Sequence, residues 1–491
     1  MRLALILLKI TGWLKSPAIY APSLLIALTT PGKLVAQQYP AMAKQVVELY
    51  NAQDAAGIYA LTDSGFHKAI SQTAFEQALK QQLFPLGKIT GYSPEDSTQQ
   101  VHYYKCMLGQ QVVLRLVLGI NNEGRLHTLA FTPWKPKVPK QDTLLWHDNA
   151  LTSPLDSQVH QAATQYLKNH SAPGLSMGVL QGTKAWFYNY GYARHSTQQH
   201  PTAHTQYEIG SITKTFTSLL LADAVVNKKA KLTDPITMYL PDSVRGNKNL
   251  KDITLEHLAN HTSGLPRLPI NLAVPPFNPA DPYANFAEPQ LMQYLKTAQL
   301  SSTPGSTYSY SNLAMGLLGV ILERIYGLPY EALLKEKIFT PFKMAESYST
   351  SVLDSTQAAQ PTAEDGSPTS YWNFKALAGA GAIKSTTTDL LRYALQYTLK
   401  PRTKGQPDAR LLLTEKPTHT TATQQIALGW HLSLPHSTPF IMEHSGGTGG
   451  FSSYLGICPQ QQVAIAVLVN STGHTAPDAM AKPLLQKLAM Q

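Results

Sequence analysis

Residues 207–221 read YEIGSITKTFTSLLL, and they decide the fold and the chemistry that we expect of this chain. Apolar residues from Ile212 onwards recur at the spacing of one helix face, so the stretch predicts a helix that starts near Ser211. Ser211 and Lys214 lie three residues apart and project from the same side of such a helix. Serine is a weak nucleophile that needs a base, and a lysine supplies one if burial or nearby positive charge keeps part of it neutral. Ser-x-x-Lys alone is expected about once by chance in a chain of this length, so the prediction depends on context.

A second candidate element is Tyr310-Ser311-Asn312, which follows a turn at 303–305 and precedes a predicted helix at 313–326. A loop just before a helix can present a phenol and an amide into a cleft. We predict that Tyr310 moves protons with the serine and the lysine, and that Asn312 orients the lysine and a substrate amide. Residues 371–373, Tyr-Trp-Asn, match the same short pattern without the turn-and-helix context, and we expect them only to line or border the site.

A third element, residues 443–454, reads EHSGGTGGFSSY and precedes a β-rich run at 463–469. The pattern predicts a hairpin in a sheet, and glycines on a strand let a ligand or another backbone approach closely. The backbone amides of Ser211 and Gly447 could then form an oxyanion hole beside the nucleophile, with the positive end of the predicted helix directed at it. The alternative is a glycine-rich turn with no catalytic role.

In this order, the three elements resemble the serine β-lactamase and penicillin-binding-protein family. The pattern is most similar to class C β-lactamases, D-alanyl-D-alanine carboxypeptidases and related esterases. Three further stretches resemble that group: LANHTSGLP at 258–266, AGAGAIKST at 378–386 and LGW at 428–430. The resemblance covers roughly residues 155–491.

The resemblance implies an antiparallel sheet flanked by helices, with a helical subdomain and the site between them. Ser211 would be acylated by a carbonyl substrate and released by water, with Lys214 and Tyr310 as its proton-transfer partners and no metal or organic cofactor. The substrate would be a small molecule or peptide with an acyl group: a cell-wall peptide, an ester or a β-lactam. The residues expected to bind it are Asn312, His444, Ser445, Gly446 and Gly447.

One residue departs from class C β-lactamases, which usually carry lysine where this chain has His444. Histidine is mostly neutral at pH 7, so it offers no fixed charge to a substrate carboxylate. Carboxypeptidases and esterases of the group resemble this chain in having His-x-Gly. We therefore predict a D-Ala-D-Ala-type peptidase or an esterase first, with a β-lactamase, or a non-catalytic penicillin-recognising protein, as the alternatives.

The whole chain of 491 residues predicts an α+β multidomain protein. Helical spacing at 38–84 followed by β-rich runs at 101–108, 111–120 and 126–131 predicts a small α+β domain at 37–134. The order of its elements resembles the nuclear-transport-factor-2-like (NTF2-like) domains. A stiff, polar linker at 135–152 precedes the hydrolase domain at 153–491. This first domain could instead be the main functional unit, with the hydrolase as its effector.

Residues 1–36 carry positive charges and two apolar runs and end in Leu-Val-Ala, which is typical of a signal peptide cleaved near Ala36. We therefore predict export to the periplasm or the medium. The alternative is an inner-membrane anchor through residues 1–30, although Lys9 and Lys15 interrupt the apolar stretch. Membrane association is expected only through such an uncleaved amino terminus.

The remaining composition excludes several function classes. The net charge is +10, but four of the positive charges lie in residues 1–36 and the others form no basic stripe, so nucleic-acid binding is not expected. Cys106 and Cys458 fall in different predicted domains and are expected to be free and buried. Residues 174–178, Gly-Leu-Ser-Met-Gly, match the nucleophile elbow of α/β-hydrolases, but the elbow needs strand, turn and helix, whereas the pattern here predicts a hairpin. No His-Glu-x-x-His motif indicates a metallohydrolase.

Overall fold

The computed structural model describes two compact units, Met1–Pro136 and Lys137–Gln491. Within them it describes residues 38–95, 101–108, 112–134, 146–169, 172–350, 356–363, 366–399, 408–435, 437–472 and 477–491. The predicted signal peptide and most of the predicted linker lie outside these residues. We describe each unit by itself.

The first unit places helices before an antiparallel sheet, in the order that the sequence predicts. Its helices are α1 (Gln38–Asn51), α2 (Ala55–Ala60), α3 (Ser64–Ala69) and α4 (Gln72–Ala78). Its sheet has the order β1 (Ile89–Pro94), β2 (His102–Leu108), β3 (Val112–Ile120) and β4 (Leu126–Pro133). Strand β1 was not predicted, because only its first residue is buried and its sequence lacks a run of apolar residues. Cys106 lies buried and free in the core between the helices and the sheet.

The second unit is built on an eight-stranded antiparallel sheet of order β6-β5-β14-β13-β12-β11-β10-β9. In chain order its strands are β5 (Gly174–Gln181), β6 (Lys184–Gly191), β9 (His419–Thr420), β10 (Gln425–Ile426), β11 (His431–Leu432), β12 (Met442–Gly447), β13 (Ser452–Cys458) and β14 (Val463–Val469). A separate short pair joins β7 (Tyr207–Glu208) to β8 (Lys384–Ser385). The predicted glycine-rich hairpin is confirmed as β12–β13.

Helices cover both faces of this sheet, which explains why every residue of β13 and β14 is buried. The helices that the structure describes here are α5 (Pro154–Asn169), α6 (Thr213–Val226), α7 (Asp242–Arg245), α8 (Leu255–Ala259), α9 (Glu288–Leu295), α10 (Asn312–Tyr326), α11 (Tyr330–Leu334), α12 (Ala378–Gly381), α13 (Thr387–Thr398), α14 (Ala409–Glu415) and α15 (Asp478–Ala489). Helices α5 and α15 pack on one face, and α13 packs on the other. Helix α6 is buried from Thr213 to Ala224 among α10, α12 and α14.

The segment that matches the nucleophile elbow is a strand, as predicted. Ser176 lies in β5, which pairs with β6 from Gly174 to Gln181, and its side chain is fully buried. Its hydroxyl lies 3.0 Å from the Tyr207 hydroxyl. Ser176 is therefore a core residue of the sheet rather than an exposed nucleophile.

No single helix in the described part of the chain is long and apolar enough to cross a membrane. One pair, α10 with residues 330–339, passes the same criteria of length and composition together but is bent by 78°. Ten consecutive residues of α10, from Leu313 to Leu322, are buried in the core of the second unit. Its apolar character is therefore accounted for by packing within the domain.

Candidate active site

Ser211 and Lys214 meet at the start of α6. The Lys214 Nζ atom donates a hydrogen bond of 2.9 Å to Ser211 Oγ. The α-helix begins at Thr213, two residues later than we predicted, because Gly210–Ile212 form a tighter 3₁₀ turn that leads into it. Gly210 has a φ of +49°, which favours glycine, and a Cβ there would lie 2.6 Å from the Gly447 nitrogen.

Lys214 has no contact with solvent. Besides the bond to Ser211, its Nζ donates a hydrogen bond of 2.7 Å to the carbonyl oxygen of Ala380 in α12. Burial lowers the pKa of Lys214 well below its usual value, and the positive charge of Arg267 lowers it further. Both effects disfavour the ammonium form, so the amine is available to accept a proton.

Tyr310 lies on the loop that leads into α10. The next residue, Ser311, caps the helix. Its hydroxyl accepts a hydrogen bond of 3.0 Å from the Ala314 nitrogen and donates one of 2.6 Å to the Pro266 carbonyl oxygen. These two bonds fix the backbone that carries the phenol. The Tyr310 ring centroid lies 4.8 Å from Lys214 Nζ. Burial raises the pKa of Tyr310 to about 12, against the opposing effect of the neighbouring Ser211 hydroxyl, so the phenol keeps its proton at neutral pH.

Strand β12 passes against the turn that carries Ser211. A Cβ at Gly446 would lie 2.0 Å from the Ile209 carbonyl oxygen, so only glycine allows this approach. The Thr448 nitrogen donates a hydrogen bond to the Phe451 carbonyl oxygen across the hairpin. Hydrogen-bonded and non-hydrogen-bonded residue pairs alternate along an antiparallel ladder, so the next pair, Gly447 and Ser452, is not hydrogen-bonded. The Gly447 N–H therefore points away from β13, towards the side of the strand where Gly210 lies.

The outer edge of β12 is open next to Ser211. Strand β11 pairs with β12 only at Met442 and Glu443. Beyond Glu443, no strand among the described residues pairs with this edge. Backbone groups from His444 to Gly447 are thus placed to pair with an extended substrate.

His444 is a neutral side chain in the wall of the site. Its Nδ1 lies 2.7 Å from the Ser445 carbonyl oxygen, and because a carbonyl only accepts, Nδ1 carries the proton. Burial lowers the pKa of His444 well below its usual value, and the charges of His431 and Lys214 add to this effect. Both effects disfavour the charged form of the His444 imidazole.

The contacts of Asn312 differ from those that we expected. Among the described residues, the Asn312 amide contacts the Tyr283 hydroxyl at 3.4 Å and not Lys214, whose second partner is the Ala380 carbonyl. The Asn312 Oδ1 atom is buried without a hydrogen-bond partner in that part of the chain. The Tyr371 hydroxyl donates a hydrogen bond of 2.8 Å to the Ala359 carbonyl oxygen, so its proton takes part in a structural contact.

His261, in the LANHTSGLP stretch, contacts the loop that carries Tyr310. Its Nδ1 accepts from the Ser311 nitrogen at 3.2 Å, and its ring centroid lies 4.4 Å from that of Tyr310. His261 therefore supports the position of Tyr310 as well as the preceding loop.

The sequence did not reveal Arg267 or Ala380 as site residues. The Arg267 guanidinium lies 5.1 Å from the Tyr310 ring centroid, and its carbonyl accepts from the Asn312 nitrogen at 3.0 Å. A signal was present in each case, since Arg267 directly follows the LANHTSGLP stretch and Ala380 lies in AGAGAIKST. Neither stretch indicates which of its groups lies near Ser211 and Lys214. No cluster of three or more potential metal ligands occurs in the described residues.

Comparison with known proteins gives relatives that share this architecture. D-alanyl-D-alanine-carboxypeptidase/endopeptidase AmpH of Escherichia coli (strain K12) is 30% identical over 325 residues, which cover 63% of this chain and 83% of the relative. A beta-lactamase of the same strain is 26% identical over 352 residues, covering 64% of this chain and 88% of the relative. The structure of a beta-lactamase/D-alanine carboxypeptidase from Pseudomonas syringae matches with a TM-score of 0.60 at 25% identity, covering 68% of this chain and 99% of that one.

The likeness identifies the second unit as a β-lactamase-like fold, with an antiparallel sheet flanked by helices. A family model described as Beta-lactamase matches residues 159–490, which contain every candidate residue described above. The chain therefore belongs to the beta-lactamase family and is a serine hydrolase.

Proposed function

We propose that Ser211 is the nucleophile of this hydrolase and forms an acyl-enzyme. The observation that carries the proposal is the 2.9 Å bond between Ser211 Oγ and a fully buried Lys214 amine. A lysine in that position has lost most of the hydration that stabilises its charged form, so it can act as a base near neutral pH.

The arrangement supports a two-step mechanism. Neutral Lys214 takes the proton of Ser211 Oγ as that oxygen attacks the substrate carbonyl, and the amides of Ser211 and Gly447 stabilise the developing oxyanion. Tyr310 donates its proton to the leaving group as the bond to the carbonyl carbon breaks, and it regains a proton from the Lys214 ammonium. In the second step, water attacks the acyl carbon, Lys214 accepts its proton, and Ser211 Oγ receives that proton as the acid is released.

For the substrate, we propose a D-Ala-D-Ala-type peptide or an ester. The open edge of β12 suits a peptide-like acyl group that pairs with the strand, and the unpartnered Asn312 Oδ1 suits a substrate N–H. A neutral His444 and the relative described as a carboxypeptidase/endopeptidase favour the peptidase over the alternative, a β-lactamase. The second candidate is retained because several relatives are described as beta-lactamases.

Intact-protein mass after incubation with a penicillin tests the proposal, with Ser211→Ala as the matched control. An adduct on the parent chain only supports Ser211 as the nucleophile of a slow-turnover, penicillin-recognising hydrolase. Drug loss without an adduct, abolished by Ser211→Ala, supports the β-lactamase. If neither occurs, short acyl esters are the next substrates. Turnover of none of these, or an adduct that persists on Ser211→Ala, contradicts the proposal.

We also propose that residues 37–134 form an NTF2-like domain. Its support is the order of helices α1–α4 followed by a four-stranded antiparallel sheet around one buried core. An experimental structure of the full chain tests this: a sheet that curves around α1 to form a cone is expected, and a flat sheet without an enclosed concave face contradicts it.

Finally, we propose export, with cleavage near Ala36. Expression in a Gram-negative host followed by amino-terminal sequencing of the periplasmic protein is expected to give a first residue at or near Gln37. A membrane-bound chain that keeps Met1 would support the anchor instead.

A further inference from the structure

Glu208 is a buried carboxyl group three residues before Ser211. It lies on β7, directly opposite Lys384 of β8, and only 2% of each of the two residues is exposed. Glu208 Oε1 accepts a hydrogen bond of 2.7 Å from the Trp372 nitrogen, and Lys384 Nζ donates one of 3.2 Å to the Trp372 carbonyl oxygen. Both backbone groups of Trp372 are therefore bound by buried, ionisable side chains.

The second carboxyl oxygen of Glu208 faces the turn of the β12–β13 hairpin. Glu208 Oε2 and the Thr448 hydroxyl are both buried, and in the described parts of the chain neither has a hydrogen-bond partner of ordinary geometry. The Thr448 hydroxyl nevertheless lowers the pKa of Glu208, so the two groups lie close together. Because Thr448 directly follows Gly447, the Glu208 carboxyl group lies near the end of β12 that carries the proposed oxyanion donor.

Trp372 connects this carboxyl group to a predicted substrate-binding residue, Asn312. The ring centroid of Trp372 lies 5.1 Å from that of Tyr283, whose hydroxyl contacts the Asn312 amide at 3.4 Å. The indole also packs against the hairpin turn, since a Cβ at Gly449 would lie 2.6 Å from Trp372 Nε1. A shift of Trp372 would therefore disturb both the Asn312 side of the site and the hairpin that carries Gly447.

The charge of Glu208 does not stabilise the fold. Burial raises the pKa of Glu208 from 4.5 to about 7, against the charge of Lys384 and the polar groups of its neighbours, which lower it. The contribution of Glu208 to the free energy of unfolding is thus fully present below pH 4.5 and is lost as the pH rises through 7. Two other ionisable groups face it: Asp281 raises its pKa, and Tyr371 stays uncharged because burial raises the pKa of the phenol. A buried charge that costs stability can be retained because it fixes one arrangement of the segments around it.

We propose that Glu208 is a positioning residue whose carboxylate holds the Trp372 segment and the turn of the β12–β13 hairpin in place around Ser211. The effect on turnover rests on the proposed function of Ser211, whereas the positioning itself does not. An ionised carboxylate accepts hydrogen bonds with both oxygens, so it can bind the Trp372 N–H and the Thr448 hydroxyl together. In the protonated form one oxygen carries a proton and becomes a donor, so protonation of Glu208 is expected to weaken this hold.

The first test records the tryptophan emission of the full chain as the pH crosses the neutral range. Subtraction of the emission of Trp372→Phe leaves the contribution of Trp372 alone. We expect this contribution to titrate with a midpoint near pH 7, the pKa of Glu208. In Glu208→Gln, measured against its own Trp372→Phe blank, the titration is expected to be lost, because an amide does not ionise in this range. No titration in the parent, or a titration that persists in Glu208→Gln, overturns the proposal.

The second test compares the parent with Glu208→Gln in ester hydrolysis, with rates normalised to the folded fraction. Glutamine resembles the protonated carboxyl group in shape and charge. Above pH 7 we therefore expect kcat/KM of the variant to be lower by about 10- to 100-fold, the range for a hydrogen bond to a charged group. The two rates should converge as the pH falls below 7. Equal rates above pH 7, or a ratio that stays constant through pH 7, overturn the proposal.

Asp156→Asn is the matched control for the loss of a buried carboxylate. Asp156 lies in the first turn of α5 in the same unit, and its partners are the Tyr188 hydroxyl and groups at the start of that helix. This variant is expected to unfold at a lower temperature and to keep the parent's kcat/KM per folded molecule. The control thus separates a loss of stability from a loss of positioning.

Failure of the proposed function gives a different result. A Trp372 titration in a parent chain that turns over no substrate supports positioning by Glu208 and contradicts the chemistry of Ser211. Turnover without the titration supports the chemistry and overturns the positioning. If Glu208→Gln does not fold, the titration of Trp372 in the parent decides: a midpoint near pH 7 supports the role of Glu208, and its absence overturns it.

Discussion

Substitution of Gly446 by alanine tests how closely β12 must approach the nucleophile. The φ of Gly446 is not in the left-handed region, so an alanine there meets no backbone strain of its own. The added Cβ would, however, lie 2.0 Å from the Ile209 carbonyl oxygen and 2.4 Å from Ser453 Oγ. Real Cβ contacts essentially never fall under 3.0 Å, so β12 and the turn at Ile209 must separate by about 1 Å.

That separation acts directly on the proposed oxyanion hole. The Ser211 and Gly447 amides lie on the two segments that would move apart, and such donors must lie within about 2.7–3.1 Å of the oxyanion. A misplacement of about 1 Å costs on the order of 100-fold in rate, or ~2.7 kcal/mol of transition-state stabilisation. We therefore expect Gly446→Ala to lower kcat/KM for ester hydrolysis by about 100-fold.

The assay compares ester hydrolysis with thermal unfolding, and rates are normalised to the folded fraction measured by circular dichroism. Gly246→Ala is the matched control, because a Cβ at that position meets no atom within 4 Å. This control is expected to keep the parent's rate and melting temperature. A Gly446→Ala protein with the parent's kcat/KM would refute the link between the close approach of β12 and catalysis.

Three further predictions follow from the charges of the fold. Lys214→Ala is expected to lower the rate of Ser211 acylation by about 10²–10⁴-fold. The parent's rate should rise with pH through the lowered pKa of Lys214, and a variant that keeps this rise contradicts Lys214 as the base. Tyr310→Phe is expected to lower kcat/KM by about 10²–10⁴-fold. The measurement is made at neutral pH, where a phenol with a pKa of about 12 is protonated. An unchanged rate would contradict a role for Tyr310 in proton transfer. Asp156→Ala is expected to lower the free energy of unfolding in urea by about 2–4 kcal/mol. Burial raises the pKa of Asp156, but hydrogen bonds from a tyrosine hydroxyl and from the adjoining backbone lower it to about 2, so this stability is present above pH 4 and is lost as the pH falls towards 2. A difference between Asp156→Ala and the parent that stays constant over that range would contradict the assignment.

The sequence predicted correctly those contacts that join residues close together in the chain. Ser211 and Lys214 are three residues apart, and any helical turn brings such side chains together. The β12–β13 hairpin was likewise predicted from glycines, β-rich runs and a turn that lie close in the chain. Ser176 was correctly rejected as a nucleophile for the same reason, because its strand–turn–strand pattern can be recognised from neighbouring residues alone.

The parts that were missed depend on contacts between distant residues. The Ala380 carbonyl that holds Lys214 is 166 residues away, and it acts through the backbone, so its side chain carries no sign of this role. Arg267 looks like an ordinary surface arginine in the sequence, and only the packing of its loop against α10 brings it to Tyr310. The start of α6 was misplaced by two residues because the approach of β12 to Gly210 determines the turn.

The distribution of charge around Tyr310 connects these contacts to the proposed base. Lys214 and Arg267 lie on the same Tyr310 ring, at 4.8 and 5.1 Å from its centroid, while the histidine on the opposing strand is neutral. Burial lowers the pKa of Lys214, and the positive charge of Arg267 lowers it further, so the buried amine can lose its proton. The Arg267 guanidinium thus supports the proposed base through its charge, while β12 contributes a neutral histidine.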